Sequence, residues 1–163
     1  MNKLIFLFVT LFGIGKLKKI PGSYASLVTT IFLFFLFHIL NILPNIVLIG
    51  IIIVFFISLY AVNIFIKDLD NKDPKEVVID EFIGQSIPIC LYEIAHESTK
   101  GTSQVLTVYF IMFILFRIFD IVKPYPVSYY DKNFKNSFGV IMDDVCAGLY
   151  VVAVLVLYMV ITS

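Results

Sequence analysis

From Ile46 to Ile66 the chain runs twenty-one residues without a charged side chain. That is about the ~20 residues a helix needs to cross a bilayer, where every backbone polar group must be satisfied within the segment itself. Further apolar stretches cover Leu27–Leu43, Gln104–Val122 and Phe138–Ile161, and one from Glu76 to about Ala95 is polar at its start and apolar afterwards. A soluble domain of 163 residues, 60% hydrophobic and with a mean hydropathy of +0.99, would leave too much apolar surface in water. The predicted fold class is therefore all-α: one domain over 1–163, an integral membrane bundle of about five apolar helices.

The ends and connections carry their own signals. Leu4–Phe12 is apolar, but Lys16-Leu17-Lys18-Lys19 follows it in place of a small-x-small cleavage site. This predicts an uncleaved N-terminal helix, amphipathic or partly inserted. Ile20–Ser26, with Pro21-Gly22, predicts a turn in which Ser23 or Ser26 caps the following helix. Pro44-Asn45, 67–75, 96–103 and 123–137 are predicted connections, and Pro88 predicts a kink in the third span.

Charge sets the expected orientation. With the N-terminus inside, five crossings place ten lysines on the cytoplasmic side and Lys100 alone outside. Ten acids follow the lysines to the cytoplasmic ends of the spans, leaving only Glu93 and Glu97 across the membrane. Zero net charge excludes a general nucleic-acid surface. Cys90 and Cys146 lie in apolar runs without a CxxC or a nearby His, as small buried hydrophobes of a reduced chain do.

Three helices bring polar groups to one depth. The third carries Asp80 and Glu81, with Gln85 one turn on. The fourth carries Arg117, Asp120 and Lys123 at a spacing of three, and the fifth Asp143 and Asp144, followed by Ala147-Gly148. Carboxylates without His or Cys suit a hard cation, Mg²⁺ first, and a neighbouring Arg and Lys suit a phosphate group. Together they point to phosphoryl chemistry.

Blander readings exist for each part. Asp73 and Glu76 complement a helix dipole, Arg117 and Asp120 form an i,i+3 ion pair, and Asp143-Asp144 is a solvated helix end. His38, among Phe and Leu, reads as a core histidine, and Asp68-Leu69-Asp70 as a solvated loop. A small ion or proton transporter is the alternative of another class, though its acids belong near the midplane. Lipid phosphatases using His and Ser, and transferases with a DGxxAR motif, do not match these residues.

Four segments, Pro21-Gly22-Ser23-Tyr24-Ala25-Ser26-Leu27, the IDExxG run Ile79–Gly84, the FRxFDxxKPxP run Phe116–Pro126 and the GxxxDDxxAG run Gly139–Gly148, occur in that order. Over nearly the whole chain this resembles the phosphatidylglycerophosphatase A family. Ser23 and Ala25 stand where that family commonly has Thr and Gly, and Asn136-Ser137 where a Gly pair is usual. The resemblance implies a Mg²⁺-dependent lipid phosphatase converting phosphatidylglycerophosphate to phosphatidylglycerol and phosphate. It would work at the cytoplasmic face of a bacterial inner membrane, with a membrane phospholipid as its partner and neither nucleic acid nor an obligate protein partner. On this reading Asp80, Glu81, Asp143 and Asp144 bind the metal. Asp120 is a further ligand or activates water, and Arg117 and Lys123 hold the phosphate. Backbone amides at Gly22, Ser23 and Ser26 add donors, with Asp73 and then Asp131 as further ligand candidates.

Overall fold

The computed structural model describes residues 3–96 and 102–162, and among these every regular element is helical. In order these are α1 (Lys3–Val9), a 3₁₀ turn (Ile14–Lys16), α2 (Pro21–His38), α3 (Pro44–Ile66), α4 (Ile79–His96), α5 (Thr102–Val122), α6 (Val127–Asn133) and α7 (Ser137–Thr162). Glu97 and Lys100, expected across the membrane, lie outside the described residues.

Four of these helices, α2, α3, α5 and α7, are long and apolar enough to span a membrane. Each carries exposed large apolar side chains. On α3, Ile52, Ile53, Phe56 and Tyr60 are exposed, while Ile51, Ser58, Val62 and Phe65 on the opposite face are buried. At 18 residues α4 is also about 27 Å long. It is not among the apolar four because Asp80, Glu81, Gln85 and Glu93 interrupt it. It is instead the centre of the bundle, packed against α7, α2, α3 and α5, with eleven of its eighteen residues buried.

The α4–α7 contact rests on two glycines. A Cβ on Gly148 would strike the carbonyl oxygen of Gly84, and one on Gly84 would lie 2.5 Å from the carbonyl oxygen of Asp144. Small residues let helix backbones approach this closely in membranes. Pro88 lies inside α4, which continues helical to His96. Having no N–H, Pro88 cannot donate to Gly84 in the i→i−4 ladder, so the carbonyl facing Gly148 is released from the usual helix bond.

Two expected connections are helical. Proline at the first helical position has a fixed φ and no N–H to lose, so α2 begins at Pro21 rather than after a turn. Ser26 is then an interior residue: its hydroxyl donates to the Gly22 carbonyl at 2.9 Å, and no side chain caps the helix. The helix also ends at His38, short of the expected Leu43. Within 123–137 the seven residues of α6 pack on α7, through buried Val127 and the Tyr130, Phe134 and Phe138 rings. The N-terminal segment is tied to the rest of the bundle. Val9 is fully buried, its carbonyl accepts from the Val78 N–H at 3.0 Å, and the Phe6 and Phe65 rings lie 6.1 Å apart.

Candidate active site

The N-termini of α2, α4 and α7 and the C-terminus of α5 meet at one end of the bundle. Asp80 and Glu81 sit in the first turn of α4, and Asp144 in the second of α7. Among the described residues, carboxylate oxygens of Asp80, Glu81 and Asp144 lie within 4.8 Å of one another. Asp80 and Asp144 are 7% and 3% exposed. Asp144 also lies in the field of the Asp120 and Asp143 carboxylates, and Asp80 in that of Asp143 and Asp73. So much negative charge removed from water needs compensation by protons or cations.

Two side-chain cations are present. Lys123 Nζ lies 2.7 Å from both Asp131 Oδ1 and Asp143 Oδ2, using two of its three donors. Burial works against its charge, but the Asp143 and Asp131 carboxylates outweigh that and hold it above the ordinary lysine range. Pro124 disfavours the right-handed helical region for the residue before it, and Lys123 takes φ 47°. Its N–H closes α5 on the Phe119 carbonyl at 2.9 Å. Arg117 Nη1 pairs with Asp120 Oδ2 at 2.9 Å and reaches Ser26 Oγ on α2 at 3.4 Å.

Gly22 is where the two signs meet. A Cβ there would collide with Glu81 Oε1 and lie 3.3 Å from Arg117 Nη1, so only a glycine lets both reach the first turn of α2. Glu81 Oε1 thus stands at a helix N-terminus, where an anion is favoured. Beyond it, Glu81 Oε2 and Arg117 Nε are both buried without a hydrogen-bond partner. An orphaned acceptor and an orphaned cationic donor in one site match a bound cation together with a bound anion. The all-oxygen donor set of Asp80, Glu81 and Asp144 fits a hard divalent ion.

Not every residue singled out in the sequence joins this group. Asp143 faces Lys123 rather than the three-carboxylate cluster. Ser23 lies half-buried on the first turn of α2. Asp73 lines a small cleft, about 10 Å³ and roughly the size of one water, with Asp131, Lys135 and Asp143. Asp73 is exposed as a residue, yet partial desolvation of its carboxyl against the cleft, and then the Asp131 and Asp120 charges, push it up despite Lys123 nearby. Gln85, one turn beyond Glu81, is fully buried with both amide atoms unpartnered.

The profile of the phosphatidylglycerophosphatase A family matches residues 7–159, which takes in every residue of this site. The chain belongs to the phosphatidylglycerophosphatase A family. It is therefore an enzyme, a phosphoric monoester hydrolase. A phosphatidylglycerophosphatase A of Haemophilus influenzae is 34% identical over 143 residues, covering 88% of this chain and 81% of that protein. A protein of Bacteroides thetaiotaomicron named as a putative phosphatidylinositol-3-phosphatase is 33% identical over 141 residues, 85% of this chain and 83% of its own length. The phosphatidylglycerophosphatase A of Escherichia coli K12 is 29% identical over 143 residues, covering 85% and 73%. No solved structure matches the chain.

A second buried polar group lies at the opposite end of the bundle and was not foreseen as a unit. Tyr109 donates to Glu93 Oε1 at 2.9 Å, and His38 Nε2 lies 3.4 Å from the same oxygen, close enough to pair but without hydrogen-bond geometry. His38 is thus the core histidine its surroundings suggest. Helical spacing alone could have linked the ends of α2 and α4 to the start of α5, but not the shared oxygen.

Proposed function

We propose that this enzyme is a Mg²⁺-dependent phosphatase that removes the terminal phosphate of phosphatidylglycerophosphate at the cytoplasmic face of a bacterial inner membrane. The observation that carries this reading is that Glu81 and Arg117, which both reach Gly22, each keep one buried atom without a partner, Glu81 Oε2 and Arg117 Nε. A site for a cation alone has no use for the second, nor a site for an anion alone for the first. Asp80, Glu81 and Asp144 would hold the Mg²⁺, with Asp143 beside them. When bound, the ion would offset charge on the phosphoryl oxygens as a Lewis acid.

The chain's own residues supply the rest. Arg117, through Nε, and Lys123, through its third donor, hold the phosphomonoester and orient it. Asp120, fixed by Arg117, takes the proton of the attacking water as its oxygen bonds to phosphorus. The bond from phosphorus to the glycerol oxygen breaks, that oxygen takes a proton from solvent, Asp120 returns the one it gained, and lipid alcohol and inorganic phosphate leave. The buried charges at one end of a lipid-facing bundle suit a headgroup at the interface, and the lysine asymmetry supports a cytoplasmic position for that end. The names of the relatives leave two lipid headgroups to separate, a glycerol phosphate and an inositol phosphate.

Phosphate release from phosphatidylglycerophosphate, phosphatidylinositol 3-phosphate and phosphatidic acid, each with Mg²⁺ and with EDTA, tests the proposal. The first substrate should lead, EDTA should abolish release, and Asp80→Asn, Glu81→Gln and Asp144→Asn should each lose at least about 100-fold, the scale of a misplaced catalytic group. Full activity in EDTA refutes the metal assignment. Ion flux through liposomes without phosphate release would favour the transporter alternative.

A further inference from the structure

The face of α5 that carries Arg117 continues into the membrane as Phe113, Phe110 and Leu106, at a spacing of four, three and four residues. On α2 the residues beyond Ser26 along the facing side are Leu27, Ile31 and Phe34. Between these two rows lies a groove of about 320 Å³, lined also by Thr30 and Tyr109. Its walls are apolar, and it runs seven residues along each helix, about 10 Å at 1.5 Å per residue. Its upper end is the contact between Arg117 Nη1 and Ser26 Oγ, which joins the same two helices. Its far end is fixed. The Phe34 and Tyr109 rings meet edge-on at 6.0 Å, and the Tyr109 hydroxyl is anchored behind the groove by Glu93.

We propose that this groove is the subsite for one acyl chain of the phosphomonoester lipid whose phosphate is held at Arg117; the assignment rests on the phosphatase reading above. The argument is one of continuity. A phosphate on Arg117 has its glycerol at the level of Ser26 and Leu27, and the apolar path leading from there into the membrane between α2 and α5 is this groove. A cavity of similar size between α4, α5 and α7, about 290 Å³, is lined on α5 by Val108, Ile111 and Leu115. That is another face of α5, turned away from Arg117. Any lipid tail can rest there, because hydrocarbon is no more attracted to a protein groove than to its neighbours. Only the α2–α5 groove offers a chain the added hold of its own headgroup.

The test uses the full chain in phosphatidylcholine vesicles doped with phosphatidylglycerophosphate that carries a diazirine midway along one acyl chain. After photolysis, label should concentrate on Ile31, Phe34 and Phe110. It should exceed that on Val154–Met159 of the other cavity about tenfold, a difference of roughly 1.4 kcal/mol. The same diazirine on phosphatidylcholine should label both cavities alike. In kinetics, Ile31→Trp, which fills the groove, and Phe110→Ala, which opens it, should each raise KM for long-chain substrate several-fold. Turnover of the deacylated headgroup should stay unchanged. Equal labelling of the two cavities by the phosphomonoester lipid, or unchanged KM in both variants, overturns the subsite. Selective labelling without phosphate release from any substrate supports the subsite and refutes the phosphatase reading instead.

Discussion

Gly148→Ala tests how far helix packing determines the chemistry. The added Cβ would strike the Gly84 carbonyl oxygen, with the Gly84 carbon at 3.2 Å and its Cα at 3.5 Å. These are backbone atoms of α4, so no side chain can swing aside. Carbon atoms pack comfortably at about 3.5–4.0 Å, so the two helices must separate by roughly 1 Å. Overpacking of this kind costs about 1–3 kcal/mol. The same movement reaches the site, because Asp144 lies one turn before Gly148 on α7, and Asp80 and Glu81 lie about one turn before Gly84 on α4. Carboxylates now within 4.8 Å of one another would draw apart, and a 1 Å misplacement costs about 100-fold in rate. Thermal unfolding in detergent and phosphate release against Mg²⁺ concentration should therefore change together: a lower melting temperature, a fall in kcat near 100-fold, and a higher Mg²⁺ requirement. A Gly148→Ala enzyme with parental kcat and Mg²⁺ dependence would refute the idea that this glycine pair sets the geometry of the acids.

Arg117→Lys keeps a charge but loses the planar fork that reaches Asp120 and Ser26 while leaving Nε for substrate, so kcat/KM should drop about 100-fold or more. Parental kinetics for this variant would remove Arg117 from the phosphate site. Tyr109→Phe leaves Glu93 without its donor and should lower stability by about 1–3 kcal/mol by chemical denaturation, with turnover of the deacylated headgroup unchanged. An unaltered denaturation midpoint would show that this hydrogen bond contributes nothing.

What could be read from the chain depended on the range of the interactions involved. The spans of α3, α5 and α7 follow from runs of apolar residues, and the convergence of Asp80, Glu81 and Asp144 follows from their positions near the N-terminal ends of α4 and α7, which run in the same direction. Both are local or depth-related facts, which a linear sequence records. The start of α2 was missed because Pro21-Gly22 serves equally as a turn or as a first helical turn, and the choice rests on Gly22 fitting against Glu81 and Arg117. Helix α6 was missed because seven residues of which six in a row, Ser128–Asn133, are polar or aromatic hold no periodicity, and its order comes from packing on α7. The pairing of Asp143 with Lys123 rather than with the other acids was also hidden. It depends on the left-handed turn of Lys123 and on Asp131 from α6, neither of which spacing encodes.

Helix α4 explains why the site takes this form. Its acids make it too polar to face lipid alone, and the apolar faces of α2, α3, α5 and α7 can shield it only by packing around it. The close approach at Gly84 and Gly148 brings α7 near enough for Asp144 to join Asp80 and Glu81. Proline at 88, unfavourable in most helix interiors, is tolerated where a neighbouring helix backbone meets the carbonyl it leaves unbonded. The residues that disqualify α4 as an ordinary span are thus the ones that require four helices around it. An apolar substitution such as Asp80→Leu with Glu81→Leu should leave the bundle folded, or even more stable, because replacing buried charges by hydrophobic groups is often neutral or favourable. If that double variant fails to fold in detergent while Asp80→Asn folds, the acids also help to fix the packing of the bundle, and site and scaffold cannot be separated.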